Sequence, residues 1–316
     1  MNTPSFEDIK AAHGRIAPFI HRTPVLTSEL VDRIAGCTVF FKCENFQKVG
    51  AFKYRGATNA VLLLTEREAE KGVATHSSGN HAAALALAAR HRGIPAYIVM
   101  PSNSPEVKIN AVKGYGGIIT FCEPTLEARE TTLEKVVAET GATFIHPYDN
   151  PRIIAGQGTA CKELLEKVPD LDIVVAPVGG GGLLSGTLIA ARHIKPSLKL
   201  YAAEPLGAND AWQSFKAGQL IPQTNPRTIA DGLRTSLSEL TFSIIQKNCN
   251  DILCVSEESI IHSMRIVWER MKIIIEPSAA VPFAAVLDNP DLFAGKKTGI
   301  IISGGNAELD ALKEVL

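Results

Sequence analysis

The chain has no surplus of charge of either sign, because 32 lysines and arginines nearly cancel 33 aspartates and glutamates. Binders of nucleic acid or of acidic membrane faces draw on a basic excess, so neither partner is expected. There is no run of the roughly 20 apolar residues that a membrane helix needs. The opening MNTPSFEDIK lacks the basic and apolar regions of a secretory signal. A cytoplasmic protein acting on small molecules is the expectation. The six cysteines, at positions 37, 43, 122, 161, 249 and 254, form no CxxC pair and do not cluster with histidines. Metal-finger and redox-motif readings find no support, and reduced, mostly buried thiols are expected. Internal repeats, low-complexity tracts and long linkers are missing too. What is present, 46% hydrophobic and 21% charged residues over 316 positions, suffices for one large or two modest domains.

Short β-rich runs punctuate the chain: TVFFKCE, AYIVMP, IITFCEP, TFIHPY, DIVVAPV, KLYAAEP, DILCVSE and TGIIISGG. Most are separated by segments with apolar residues at helical spacing, such as LEARETTLEKVVAETG. This order predicts βαβ units and an α/β fold with mainly parallel sheets. DIVVAPV is apolar on both faces, as a strand covered by helices on both sides must be.

Three glycine turns follow strands of this kind. DIVVAPV runs into Gly179, Gly180, Gly181 and Gly182 and then into the helix-like LLSGTLIAARHI, a loop whose N–H groups can close around a phosphate beside a helix N-terminus. THSSGNHAAALALAARH enters a helix at Asn80 or His81, with Ser77, Ser78 and Asn80 as capping candidates. In IIISGGNAEL, Ser303, Gly304, Gly305 and Asn306 are expected to open a third helix. Turns at strand C-termini are where an open α/β sheet binds ligands. Gly180 and Gly182, with Glu204 about 20 residues on, also imitate a dinucleotide fingerprint. That oxidoreductase reading puts Ser185 at the third glycine position and leaves one lysine unexplained.

The lysine is Lys53, held between Phe52 and Tyr54 and bracketed by Gly50 and Gly56. An amine attacks an aldehyde only when neutral, and an apolar, aromatic-flanked site favours neutral lysine. One such lysine plus one phosphate cradle points to pyridoxal 5′-phosphate held as an imine.

FQKVGAFKYRGA, THSSGNHAAA, PVGGGGLLSG, AAEP, ADGL, IEPSAA and IISGGN, in this order over nearly the whole chain, resemble the fold-type II pyridoxal-phosphate family of serine racemase and threonine/serine dehydratases. The resemblance implies a tryptophan synthase β-like architecture. Its large domain would comprise residues 1–71 and 150–316, and a small mobile domain residues 72–149. It implies Lys53 as the Schiff-base lysine, Phe52 packing on the cofactor ring and Asn80 at its phenolic oxygen. Gly179, Gly180, Gly181, Gly182 and Leu183 would hold the phosphate and Ser303 the pyridine nitrogen. Ser77, Ser78, Gly79, Asn80 and His81 would bind the substrate carboxylate. Ser78, matching the serine of racemases where threonine dehydratases typically carry alanine, would be the proton donor opposite Lys53. Related hydroxyaspartate dehydratases can share that serine, so dehydration of threonine or 3-hydroxyaspartate is the alternative activity. AAEPLGAND matches a divalent-cation site of Glu204, the Ala208 carbonyl and Asp210, suited to Mg²⁺, Ca²⁺ or Mn²⁺. The substrate would be a small hydroxy amino acid, and the resemblance implies a homodimer.

Some positions depart from the animal racemase pattern. VGAFK replaces TGSFK, and Ala83 stands where that pattern has glutamine. Both changes remove polar groups near the ATP site of animal racemases and argue against nucleotide activation. Tyr148 replaces an asparagine that faces the active site, a change that bears on substrate choice. The sequence stops after one catalytic unit, so the regulatory domain of biosynthetic threonine dehydratases, and feedback inhibition by isoleucine, are not expected.

Overall fold

The computed structural model describes residues 3–77, 79–308 and 313. Among these residues ten strands form two sheets: β1 (Val25–Leu26), β2 (Thr38–Cys43), β3 (Val73–His76), β4 (Ala96–Pro101), β5 (Ile118–Cys122), β6 (Thr143–Phe144), β7 (Ile173–Pro177), β8 (Lys199–Pro205), β9 (Asp251–Val255) and β10 (Lys297–Ile302). The larger sheet has the order β1-β2-β10-β7-β8-β9 and the smaller β5-β4-β3-β6. Only the β1/β2 pair is antiparallel among these strands. The α/β fold expected from the alternating pattern is therefore the observed one. β3 is implied only by the glycine turn that follows it, and the two-residue β1 has no apolar run of its own to mark it.

Every residue of β7 is buried, because helices cover both faces of the large sheet. On one face Val39, Phe41, Val175 and Ile300 pack with Val281 and Phe283 of the helix Pro277–Asp288. On the other, Val174, Ala176 and Ile301 meet Leu164 and Leu188 of the helices Pro151–Lys167 and Gly182–Ile194. Hydrophobic burial on this scale, about 25 cal/mol per Å² of apolar surface, holds the strand ends in fixed register. The small sheet has a core of its own, where Val73, Ile98 and Met100 pack with Leu85 of the helix Asn80–Arg92. Tyr54, Ala57 and Val61 of the helix Lys53–Leu62 share that core. Among the described residues no helix is long and apolar enough to cross a membrane.

Candidate active site

The end of β10 crosses the turn that precedes Lys53. Phe52 donates its N–H to the Ser303 carbonyl (2.9 Å), Gly305 donates to the Gly50 carbonyl (2.9 Å), and Ala51 bridges Gly304. These backbone bonds pull Ser303–Glu308 across the turn, so the third expected helix does not open at Asn306. The described residues there, through Glu308, are not helical. Lys53 and Ser303 are thereby brought into one cavity of about 460 Å³. The Lys53 Nζ lies 5.2 Å from the Phe52 ring centre and donates to the Pro147 carbonyl at 3.0 Å. Burial pulls its pKa from 10.5 down to about 8, against an upward pull from Glu276.

Gly179–Leu183 line the same cavity. Gly181, with φ +84, starts the helix Gly182–Ile194 with no side-chain cap, so its first N–H groups are left for a ligand. These glycines also make room for neighbours. A Cβ on Gly180 would lie 2.3 Å from Tyr148 Cδ1, one on Gly182 2.9 Å from Tyr148 Cβ, and one on Gly179 2.9 Å from Leu233 Cα. Tyr148 thus both lines the cavity and presses against the loop, its ring edge-on to His146 at 4.6 Å between centroids. Burial raises its hydroxyl to about 12.

β3 delivers the second glycine turn. Ser77, Gly79, Asn80 and His81 all line the cavity, while Ser78 lies outside the described residues. The helix begins at Asn80, and its N-cap is Gly79, with no side-chain cap, rather than one of the serines or Asn80. The Ser77 Oγ accepts the Gly79 N–H at 3.3 Å. His81 is buried, with Nε2 3.1 Å from the Ile145 carbonyl, and burial drives its pKa to about 3. A neutral ring must donate through Nε2 to that carbonyl, so His81 ties the helix to the chain after β6. His146, pulled down to about 4 by burial, accepts the N–H groups of Tyr148 (3.3 Å) and Asp149 (2.9 Å) through Nδ1.

Several lining residues carried no signal in the sequence reading. Glu276 receives the Asn80 amide on both carboxylate oxygens, at 3.2 and 3.1 Å, and burial raises its pKa to about 7. Lys108 crosses the cavity mouth from the small-sheet side to Asp231 (2.9 Å) and Glu308 (2.7 Å). Arg129 also lines the cavity. IEPSAA stands out as a motif, but the partners of its glutamate, Asn80 and Asn306, lie far away in sequence and leave no local pattern.

Two residues beyond Lys53, Arg55 is wholly buried between two carboxylates. It donates to Glu44 (2.6 and 2.9 Å), to Glu163 (2.8 Å to each oxygen) and to Thr159 (3.1 Å). Lys42, also buried, adds a 2.6 Å bond to Glu163. Two cations and two anions thus close a neutral cluster that joins the Lys53 helix to β2 and to the helix Pro151–Lys167.

Glu204 near the end of β8 and Ala208 and Asp210 just after it are all buried. Glu204 accepts the N–H groups of Ala211 (3.1 Å) and Trp212 (2.9 Å). Asp210 Oδ2 is buried with no hydrogen-bond partner among the described residues. Two buried carboxylates with an unsatisfied oxygen are a donor set that suits a hard cation.

Residues 16–304 match the family model described as pyridoxal-phosphate dependent enzyme, and the chain belongs to that family. A beta-hydroxyaspartate dehydratase of Paracoccus denitrificans is 52% identical, the match covering 99% of each chain. A serine racemase of Dictyostelium discoideum is 50% identical over 100% of this chain and 99% of its own. The structure of maize serine racemase superposes with a TM-score of 0.95 at 45% identity, covering 99% of this chain and 97% of that one. The fold is thus that of the fold-type II enzymes, as the ordered motifs implied. The cavity fits the cofactor on its own chemistry as well. Ser303 Oγ is buried without a partner among the described residues, the glycine loop is an uncapped anion cradle, and a lysine of lowered pKa lines the same cavity.

Proposed function

We propose that the enzyme interconverts L- and D-serine and also eliminates the β-hydroxyl of L-serine or L-threonine to give the 2-oxo acid and ammonia. The carrying observation is Lys53, desolvated to a pKa of about 8 inside the cavity that also holds the glycine cradle and the unpartnered Ser303 hydroxyl. Lys53 is the residue assigned to the cofactor aldehyde, with Phe52 beside the ring, Asn80 at the phenolic oxygen, Gly179–Leu183 at the phosphate and Ser303 at the pyridine nitrogen. When bound, the cofactor supplies an electron sink for the pair left as the substrate Cα loses its proton. A serine hydroxyl does not keep the pyridine nitrogen protonated, which moderates that sink and disfavours transamination.

An amine of pKa about 8 is matched to taking and returning a proton near neutral pH. In the proposal Lys53 takes the Cα proton of L-serine, while Ser77, Gly79 and the uncapped helix N-terminus at Asn80 hold the substrate carboxylate. Ser78, assigned from the sequence, returns a proton from the opposite face to give D-serine. Loss of the β-hydroxyl as water from the same deprotonated substrate leads to pyruvate and ammonia. Closure of the small-sheet unit, residues 72–149, over substrate would exclude water. Glu204, the Ala208 carbonyl and Asp210 are assigned to Mg²⁺, Ca²⁺ or Mn²⁺, a role supported by the unpartnered Asp210 oxygen. A homodimer in the cytoplasm, without nucleotide activation, completes the reading.

The deciding experiment is chiral analysis of the products from L-serine beside a pyruvate assay. Ser78→Ala should lower racemisation by at least ~100-fold and leave dehydration largely intact. Equal loss of both reactions would remove Ser78 from the donor role. A second reading, dehydration of 3-hydroxyaspartate, is favoured by Arg129 in the cavity wall, where it offers a cation to a second carboxylate. Turnover of 3-hydroxyaspartate with no D-serine formed would select that reading.

A further inference from the structure

Asn80 belongs to a chain of amides whose two ends, a backbone carbonyl and the ionised Glu276 carboxylate, accept hydrogen bonds. At one end is the Val49 carbonyl, which accepts from the Asn306 Nδ2 at 2.8 Å. The same Nδ2 lies 2.8 Å from the Asn80 Oδ1, and the Asn80 Nδ2 meets both oxygens of Glu276 at 3.2 and 3.1 Å. The amide oxygen and nitrogen of an asparagine are nearly the same size, so the end groups decide which atom points where. A backbone carbonyl has no proton to give, so Asn306 must present its NH₂ there. Its two hydrogens are then spent on Val49 and on Asn80, which fixes the Asn80 oxygen toward Asn306. Of the Asn80 NH₂ hydrogens, one is shared by the two Glu276 oxygens and the other is left for the cavity.

The Val49 carbonyl is held in place at a cost. Val49 is a β-branched residue with φ 57, and Gly50 beside it has φ 69. A non-glycine residue in this region, above all a β-branched one, persists only where its surroundings over-determine it. Two further contacts seat Asn306. Its backbone N–H donates to Glu276 at 3.2 Å, and its side chain fills the space above Gly50, where an added Cβ would come within 2.6 Å of Oδ1. A one-atom-sized glycine and a strained valine thus serve a single side chain.

We infer that Asn306, braced by the left-handed turn at Val49 and Gly50, is a positioning residue that fixes the polarity of the Asn80 amide so that an N–H, and not the carbonyl, faces the cofactor. The inference rests on the assignment of Asn80 to the phenolic oxygen. An N–H there favours the ionised phenolate, the visible-absorbing form of the Lys53-linked cofactor. A carbonyl there would repel the phenolate and favour the neutral phenol, which absorbs in the near ultraviolet. Asn306→Asp is nearly isosteric and replaces the donor with acceptors. The carboxylate of that variant would compete with Glu276 for the Asn80 hydrogens and leave none for the cofactor.

The test is the absorbance spectrum of holoenzyme at a pH above the value of about 7 to which burial raises Glu276, with cofactor content measured after its release in base. Asn306→Asp should lower the ratio of visible to near-ultraviolet absorbance by about tenfold at unchanged cofactor content, the scale of one hydrogen bond to a charged group. Asn306→Ala, which removes the donor without adding charge, should move the ratio in the same direction by less, and it serves if the aspartate variant does not fold. Asn80→Ala is the reference. An unchanged spectrum in Asn80→Ala would overturn the Asn80 assignment and with it this inference. A shift in Asn80→Ala with none in either Asn306 variant would leave that assignment standing and overturn the role given to Asn306.

Discussion

Lys53 and Arg55 sit two residues apart on one helix, Lys53 half-buried in the cavity wall and Arg55 wholly buried, and they end in opposite electrostatic states. Burial lowers the Lys53 pKa to about 8, because the only charge pulling it back up is Glu276. Arg55 pays the same desolvation, yet its pKa is raised, since Glu44 and Glu163 grip the guanidinium on both sides. Desolvation disfavours a charge, and direct counter-charges restore it. The helix thus presents a weak-ammonium, reactive end to the cavity and anchors itself by a locked cation facing the other way. The lysine can be left poorly paired because the arginine is not.

The largest effect that would sharpen this contrast is loss of the lysine itself. Lys53→Ala should cut turnover of L-serine by at least ~10⁴-fold, the upper scale for removing a positioned base, while melting stays close to that of the parent. Arg55→Met should behave in the reverse manner. It leaves Glu44 and Glu163 with Lys42 alone, and breaking a buried ion pair costs about 3–5 kcal/mol. Denaturant unfolding of the apoprotein measures this, and a loss below about 1 kcal/mol would show the cluster to be dispensable.

A smaller effect is expected where the cradle meets Tyr148. Gly180→Ala forces a methyl against the Tyr148 ring and should cost about 1–3 kcal/mol of stability together with weaker cofactor binding. Tyr148→Ala in the same chain should return much of both, as read by melting and cofactor titration. Failure of that rescue would mean that the loop backbone, not the ring, sets the fit.

The smallest effect concerns pH. Glu276 is raised from 4.5 to about 7 in the fold, so between those values the folded state binds more protons than the unfolded chain. Apoprotein stability contributed by this group is fully present below pH 4.5 and is lost as pH rises through about 7. Glu276→Gln should flatten the melting profile over that window. Lys53 has the opposite sign. Its lowered value means that the unfolded chain binds the extra proton between about 8 and 10.5, so stability recovers as pH climbs through that range.

Much of the molecule was legible because its chemistry is local. β4 and β7 announce themselves as short apolar runs between polar segments, and the glycines of the cradle follow one of them directly. β3 is harder to delimit, since its four residues, ending in His76, are marked only by the glycine turn that follows them. The helix expected to open at Ser303–Asn306 does not begin among the described residues through Glu308, for a tertiary reason, as the backbone of Ser303–Gly305 is spent on Gly50, Ala51 and Phe52. Arg55 and Lys42 carry no local signal of their role. Their shared partner Glu163 lies more than a hundred residues downstream, and no local pattern can encode such a pairing. Asn306 and Glu276 were hidden for the same reason, although each stood inside or beside a motif that was read.

Of the two lysines that line the cavity, Lys108 is held charged by Asp231 and Glu308, whereas Lys53 has a lowered pKa and is the amine placed to react. Holoenzyme reduced with borohydride, digested and mapped by mass spectrometry tests this most directly, since reduction fixes the cofactor to whichever amine holds it. The added mass is expected on the peptide carrying Lys53 and nowhere else, with loss of the visible band in step. Label on another lysine, or a protein that carries no cofactor when purified and takes up none when it is supplied, would contradict it.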